Sequence, residues 1–373
     1  MKWVFWGAAA VIAYTYLGYA AWLWVRSRMR LFPVQTGPYL PSISVVMVIR
    51  NEAEVIRQKL ENLLLLNYPK DLMQLIMVSD GSTDGTNEIL LEHAADPRVR
   101  VILNSDPQGK AAGLNSAINA VSGEIVVFTD ARQKIDRDAV RLLMENFADP
   151  SVGCASGELM LGDPDSGEAG KGMGLYWRVE KEIRQLESAS GSVVGATGAI
   201  YAVRRNLLVQ LPPGTILDDV YIPMNVARRG KRVVFDPRAR AWDAPDLGRG
   251  SEFARKVRTL SGNYQVLQLS PWLLTRENPL LFEFVSHKLS RLLAPFALAL
   301  TLVASLLAGQ PLYRTLFGLQ VAFYGLSLLS ITHVKLGPLA RLSDAAFTFV
   351  VLNTAAAMAF ANFVTGRKTV WIR

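Results

Sequence analysis

Cysteine and histidine are nearly missing from this chain. Cys154 is its one cysteine in 373 residues, which excludes an internal disulfide framework and fits a reducing cytoplasm. His93, His287 and His333 are scattered, so no zinc-like spacing exists. Charge is scarce as well. Charged residues make up 19% of the chain against 50% hydrophobic, a balance that leans toward a membrane protein. The net charge of +8 comes without an Arg/Lys stripe interleaved with aromatics, which argues against nucleic acid as a partner and leaves anionic lipid headgroups as a better account.

What the chain has in plenty is long uncharged runs. Residues 3–25 contain no charge, carry Trp and Tyr near their ends and are followed by Arg26, Arg28 and Arg30, the pattern of a spanning helix. A cleaved signal peptide is the alternative, but the run is long for one and its basic cluster lies on the C-terminal side. The arginines place the chain after residue 26 in the cytoplasm. Three further apolar runs, residues 292–313, 315–332 and 345–365, are each about long enough to cross a bilayer core. Lys288, Arg291, Lys335 and Arg341 then fall on the cytoplasmic side, yet the same count puts Arg367, Lys368 and Arg373 outside. Either one segment is re-entrant or the tail is an exception to the positive-inside rule.

Between residues 41 and 245 strand-like and helix-like patterns alternate, which predicts an α/β fold with a mostly parallel sheet covered on both faces. Residues 44–49, 75–78, 99–103 and 124–130 read as strands, and residues 54–66, 87–94 and 110–121 as helices. The second strand runs into Ser79-Asp80-Gly81-Ser82-Thr83-Asp84-Gly85-Thr86, and the fourth ends at Asp130. Two carboxylates therefore sit at strand C-termini of one sheet, the edge where open α/β sheets bind ligands. A nucleoside diphosphate-sugar suits such a pair, since its base offers an N–H donor and its diphosphate needs a cation. Lys110, at a helix start after the polar loop 104–109, would favour phosphate. Taken singly, Asp80 and Asp130 read equally as turn residues and Lys110 as a solvated lysine.

Taken together, these residues resemble the family 2 glycosyltransferases with a GT-A fold, especially the membrane-integrated group that includes cellulose, hyaluronan, chitin-oligosaccharide and poly-N-acetylglucosamine synthases. The resemblance covers residues 41–265 and rests on the order and spacing of short motifs. They are Val48-Ile49-Arg50-Asn51-Glu52, Asn67-Tyr68-Pro69, Val78-Ser79-Asp80-Gly81-Ser82-Thr83-Asp84, Gly109-Lys110-Ala111-Ala112-Gly113-Leu114-Asn115, Phe128-Thr129-Asp130-Ala131-Arg132, Gly195-Ala196-Thr197-Gly198-Ala199, Leu217-Asp218-Asp219 and Arg255-Lys256-Val257-Arg258. It implies a layout of an anchor (1–30), a cytoplasmic catalytic domain (41–245), interfacial helices (246–286), C-terminal spans (287–366) and a tail (367–373).

The resemblance also implies roles. Asn51, Glu52 and Asp80 would hold the nucleoside, with Asp80 accepting from a uracil N–H, and Lys110 would lie near the nucleotide. Asp130 would bind a divalent cation, Mg2+ or Mn2+, that neutralises the diphosphate, while Asp219 would be the general base. Asp218 and Gly198 would face the acceptor, and Arg255 and Arg258 the diphosphate. A helix N-cap at the Asp218-Asp219 pair, a packing turn at residues 195–201 and an interfacial helix meeting lipid phosphates at Arg255 and Arg258 are the plain alternatives. Tyr176 and Trp177 could stack on a sugar, but Val179, Ile183 and Leu186 at helical spacing favour packing instead.

Two positions depart from the family pattern. Arg132 stands where a second metal-binding acid is common, and a guanidinium cannot ligate a cation, although it could contact phosphate. Thr259 stands where processive members usually have tryptophan, with Arg255 where glutamine is common, which weakens the case for long-chain polymerisation. The implied activity is inverting transfer from a UDP-sugar to a growing polysaccharide or a lipid-linked acceptor, with a β-linked product in cell-envelope glycan synthesis. Single-sugar transfer to a lipid acceptor is the near alternative, and a catalytically idle nucleotide-binding membrane scaffold is the alternative of another class.

Overall fold

The computed structural model describes residues 1–162, 175–243, 249–330 and 338–367. Lys335, Lys368 and Arg373, on which part of the expected sidedness rests, lie outside them. Helices α1 (Lys2–Ala13) and α2 (Tyr19–Met29) join through a π-helical turn at Tyr14–Gly18 into one apolar rod. Its basic residues Arg26 and Arg28 lie in the last turn, where they complement the helix dipole.

The domain begins at β1 (Ile43–Ile49), every residue of which is buried. Such a run forms a strand enclosed on both faces, because alternate side chains must each find apolar cover. Ile43, Val45, Met47 and Ile49 face one core, into which α3 (Ala53–Leu64) delivers Ile56, Leu60 and Leu63. Val46 and Val48 face the other. The chain continues through β2 (Met73–Asp80), α4 (Thr86–His93), β3 (Val99–Asn104) and α5 (Lys110–Ile118), and α5 adds Ala111, Leu114 and Ala117 to that second core. Gly113 lets α5 approach β1 closely, since a Cβ there would lie 2.6 Å from Val48 Cγ1. Burying each large aliphatic side chain contributes about 1.5–3 kcal/mol, so these two layers supply most of the driving force.

The remaining domain elements are β4 (Ile125–Thr129), β5 (Lys134–Ile135), α6 (Ala139–Glu145), β6 (Val152–Leu161), α7 (Leu175–Ser190), β7 (Ile200–Arg204), α8 (Asp218–Arg228) and β8 (Arg232–Asp243). The eight strands form one sheet in the order β3-β2-β1-β4-β7-β6-β8-β5. From β3 to β4 all pairings are parallel, as the alternating pattern predicts. The other half is mixed: β7 is antiparallel to both β4 and β6, while β6 and β8 are parallel. Thr129 pairs with Ile200, so the chain enters β7 at the edge where β1, β2 and β4 end.

Beyond the sheet, α9 (Arg249–Leu269) is followed by α10 (Leu281–Phe284) and α11 (Ser290–Ala308), which a second π-helical turn at Val285–Leu289 joins into one rod. Then come α12 (Pro311–Leu329) and α13 (Pro338–Val364). Among the described residues, Lys2–Met29, Leu281–Ala308 and Leu339–Val364 are helices long and apolar enough to cross a membrane. The break between α11 and α12 falls at Gly309, in the left-handed region with φ +69°, and Pro311 starts the next helix. That break lies inside the uncharged run 292–313, because backbone chemistry and not charge ends the helix. α12 then runs back along α11, with Gln320 Nε2 donating to the Leu298 carbonyl and Tyr313 packed on Ala304 and Phe5.

α9 leaves the domain and packs its Tyr264 against Phe360 and Phe363 of α13. The N-terminal rod is tied in by Tyr14 to Ser286 and by Tyr16 to Asn353. Both α9 and the N-terminal rod are therefore anchored to the C-terminal apolar helices by direct side-chain contacts.

Candidate functional site

Three loops meet at the C-terminal edge of the parallel strands. After β1, Asn51 takes a positive φ of +53°, which Asn tolerates better than most residues, and its side-chain oxygen Oδ1 accepts from the Thr83 N–H at 2.9 Å. The Asn51, Glu52 and Ala53 amides in turn donate to Ser82, Thr86 and Asp84 side chains. Asp84 also caps Thr86, and these hydrogen bonds hold its carboxyl below the usual range although burial works the other way. The Ser79–Thr86 stretch thus latches the first strand end to the second.

Asp80 is fully buried, and its two carboxylate oxygens accept the N–H groups of Gln108 and Gly109 at 2.9 and 2.8 Å. In this structure it fixes the loop that leads into α5, and in doing so sets Lys110. The Lys110 Nζ lies 2.9 Å from Asp130 Oδ1 and 3.0 Å from Asp218 Oδ1. Burial disfavours the ammonium, but Asp130 and Asp218 hold it above its ordinary value. The expected nucleotide lysine is therefore the cation between two acids of the site.

Asp130 keeps its other oxygen on the open side, 3.5 Å from where a side chain on Gly198 would begin; Asp219 Oδ2 is 3.4 Å from the same point. Asp218, 4% exposed, also accepts from the Tyr201 hydroxyl at 3.2 Å, and burial together with that carboxylate holds the phenol well above its ordinary value. Burial and the adjacent Asp218 push the Asp219 carboxyl up to about 6, against the pull of Lys110. Asp218 and Asp219 open α8, where the helix dipole favours negative charge.

The segment before β7 is fastened to the same helix start. The Ala196 N–H donates to the Asp219 carbonyl at 2.6 Å, and Gly195 takes a φ of +91°, a conformation open to glycine. Arg258, half-buried in α9, faces Asp130, Asp218 and Asp219; burial lowers its guanidinium from the ordinary value while those charges oppose the change. Arg255, three residues earlier, is exposed and lies 3.8 Å from Asp243.

Arg132 makes a two-pronged contact with Glu52, Nε to both carboxylate oxygens at 3.1 and 3.2 Å. In this structure Arg132 meets Glu52, where the sequence offered it to phosphate. Among the described residues no cluster of three or more His, Cys, Asp or Glu could hold a metal ion. One open oxygen on Asp130, with Asp219 across from it, nevertheless fits a hard cation that takes one or two carboxylates and fills its shell with substrate phosphates and water.

Lys59 was not legible as a site residue. It is buried at 3% exposure in α3 and donates from Nζ to Thr129 Oγ1 at 2.9 Å and to the Gln133 carbonyl at 2.5 Å, bracketing Asp130 from beneath. Its signal was present: Ile56, Lys59, Leu60 and Leu63 share one face, which puts a lysine in a core register. Tyr176, by contrast, contacts Arg291, while Trp177 is exposed and does not pack into the core.

The family model described as Glycosyl transferase family 2 matches residues 44–211. The chain is similar to poly-beta-1,6-N-acetyl-D-glucosamine synthase of Staphylococcus aureus, 27% identical over 233 residues, which is 61% of this chain and 56% of that protein. The Staphylococcus epidermidis synthase of the same name is 26% identical over 235 residues, 62% of this chain and 56% of the relative. The chain thus aligns with about half the length of these curated relatives. In fold it is similar to the mannosyltransferase PcManGT of Pyrobaculum calidifontis, solved in complex with GDP-Man and Mn2+, with a TM-score of 0.74, 22% identity and coverage of 97% of this chain and 99% of that one. TarS of S. aureus, solved with UDP-GlcNAc, shares the fold with a TM-score of 0.50 at 13% identity, over 87% of this chain and 92% of that one.

Proposed function

Since residues 44–211 are a glycosyl transferase family 2 domain, we propose that this chain transfers a sugar from a UDP-sugar to a growing polysaccharide or lipid-linked acceptor, inverting the anomeric centre. The convergence of Asp130 and Asp219 on one open point beside Gly198 carries the reading. A donor diphosphate on the Asp130 side and an acceptor hydroxyl on the Asp219 side would meet there, in line through the anomeric carbon.

Asp219 is the general base. A carboxylate held near 6 is mostly ionised at neutral pH yet basic enough to take a hydroxyl proton as the glycosidic bond forms. The donor's bond to its diphosphate breaks in the same displacement, and the leaving charge meets Arg258 and Lys110. Asp130 would hold a divalent cation through its open oxygen, and that cation, when bound, neutralises the diphosphate. Asn51 and Glu52 line the nucleoside side. Asp80, fully buried, supports that side by fixing residues 108 and 109 and not by meeting the base itself. Asp218 holds Lys110 and Tyr201 beside the acceptor, and Gly198 leaves the acceptor room.

The arginines in the last turn of the N-terminal rod support a cytoplasmic domain. The synthases to which the chain is similar favour a hexosamine polymer in the cell envelope, while Thr259 in the α9 motif favours short transfer. A nucleotide-release screen on purified protein with Mn2+, over UDP-GlcNAc, other UDP-sugars and GDP-mannose, tests the reading, with Asp219→Asn as control. No release from any donor in the presence of membrane extract would move the chain to a nucleotide-binding scaffold. Sizing of the labelled product separates a polymer ladder from one discrete glycolipid.

A further inference from the structure

α7 carries Glu180, Arg184 and Glu187 at successive helical turns, so all three lie toward one face. Two of them meet the membrane-crossing rod Leu281–Ala308. His287, buried in that rod, sits with Nδ1 2.8 Å from Glu187 Oε1 and Nε2 3.0 Å from Glu180 Oε1, and Arg291 Nη1 donates to Glu180 Oε2 at 2.6 Å. Tyr19 of the N-terminal rod donates to Glu187 Oε1 at 2.6 Å. One imidazole thus bridges two carboxylates almost two turns apart and fixes the rotation of α7 against the rods.

The same face reaches the site. Glu187 Oε2 accepts the Val194 N–H at 3.4 Å. Arg184 Nη1 donates to the Thr197 hydroxyl, and its Nη2 to Ser156 Oγ at 2.9 Å, which in turn accepts the Thr197 N–H at 2.9 Å. Residues 194–198 are therefore held from one side by α7 and from the other by the Asp219 carbonyl. On the donor side, the hydrogen bonds to Asn51, Asp80 and Lys110 come from none of these residues.

We propose that His287 is a positioning residue for the acceptor, locking α7 so that Glu187 and Arg184 fix residues 194–198 beside Asp219. The role rests on the sugar-transfer reading above. It also makes residues 194–198 a part of the site that senses how the rods carrying Tyr19 and His287 are set.

The test uses the full chain in detergent or nanodiscs, with His287→Ala and Ser156→Ala, the second removing the hydroxyl that links Arg184 to the Thr197 N–H while leaving the direct bond from Arg184 to the Thr197 hydroxyl. Hydrogen–deuterium exchange at residues 194–197 should quicken about tenfold in both, with β1 and β2 unchanged. In the donor assay, transfer should fall and acceptor KM rise about tenfold, while UDP-sugar affinity and slow donor hydrolysis stay within about twofold. Unchanged exchange at residues 194–197 overturns the proposal, as does a parallel loss of donor affinity, hydrolysis and transfer. If the parent protein releases no nucleotide from any donor, the activity reading fails, and the exchange measurement still decides the role of His287. If His287→Ala does not fold, His287→Gln, whose side chain can reach only one of the two carboxylates, carries the same two measurements.

Discussion

Asp130 and Asp219 aim their Oδ2 atoms at one spot, 3.5 and 3.4 Å from where a side chain on Gly198 would start. The first belongs to the end of β4 and the second to the start of α8, eighty-nine positions along the chain. β7, entering antiparallel beside β4, brings the 195–199 segment between them. An added methyl would make ordinary contact with both oxygens and would fill the gap they share. Gly198→Ala should therefore fold with unchanged or slightly raised stability, since its φ is not in the left-handed region, and lose transfer about 10- to 100-fold. Thermal melting alongside turnover checks the pair of outcomes, and wild-type turnover in this variant would remove the shared point from the mechanism.

The base has a pH signature. As the proposed base Asp219 must be ionised, and with its carboxyl pushed up to about 6, transfer should rise with pH through that value and level off above it. Lys110, held above its ordinary value, stays charged across that range and adds no second limb. Asp219→Asn should lower kcat by about 100- to 10,000-fold and erase the limb. A limb that persists in the residual activity of the variant would assign it to another group.

On the proposed nucleoside side, Asp80 holds the backbone of residues 108 and 109. In Asp80→Asn one oxygen becomes an NH2 facing an N–H, leaving a buried donor unsatisfied at about 1–3 kcal/mol. The loop before Lys110 should loosen, and donor KM should rise about tenfold with kcat less affected. Steady-state kinetics with varied donor measures the split, and an unchanged donor KM would show that this loop is not needed to seat the nucleotide.

Chelation offers a further check. With Asp130 presenting one open oxygen and Arg132 turned to Glu52, the chain's own share of a cation site is small. EDTA should abolish transfer and Mn2+ or Mg2+ restore it, while Asp130→Asn should raise the cation concentration needed for half-maximal rate about 10- to 100-fold. Full activity after exhaustive chelation would leave Lys110 and Arg258 as the sole counter-charges.

The parallel half of the sheet was plain in the sequence because β1, β2 and β4 each hold an unbroken apolar run, residues 45–49, 75–78 and 125–128, which only a doubly covered strand needs. The mixed half was hidden. β6 and β8 owe their places to pairings made far along the chain, and no local pattern tells a parallel from an antiparallel neighbour. In the site, Asp130, Asp218 and Asp219 carried a motif, so their positions could be named. Lys59, Ser156 and Arg184 carried none, since each acts through a partner distant in sequence. Arg132 shows the same limit, because its pairing with Glu52 depends on how two strand ends meet.

Lys59 makes the last test one of stability. Burial lowers its ammonium to about 7, although the charge of Asp130 opposes this. In the unfolded chain it titrates as an ordinary lysine near about 10.4. Between those values the unfolded state holds a proton that the folded state has released, so stability should rise as pH goes from about 7 to about 10 and be insensitive to this group below that window. Lys59→Met keeps the length and apolar stem of the side chain but has no proton to exchange, so its stability should lack that rise. It should also lose the two hydrogen bonds that bracket Asp130, leaving the Thr129 hydroxyl and the Gln133 carbonyl without their donor. Thermal midpoints of both proteins in one detergent across pH 6 to about 10 give the comparison. Parallel curves would mean that Lys59 is charged throughout, and that the space behind Asp130 is wetter than its burial suggests.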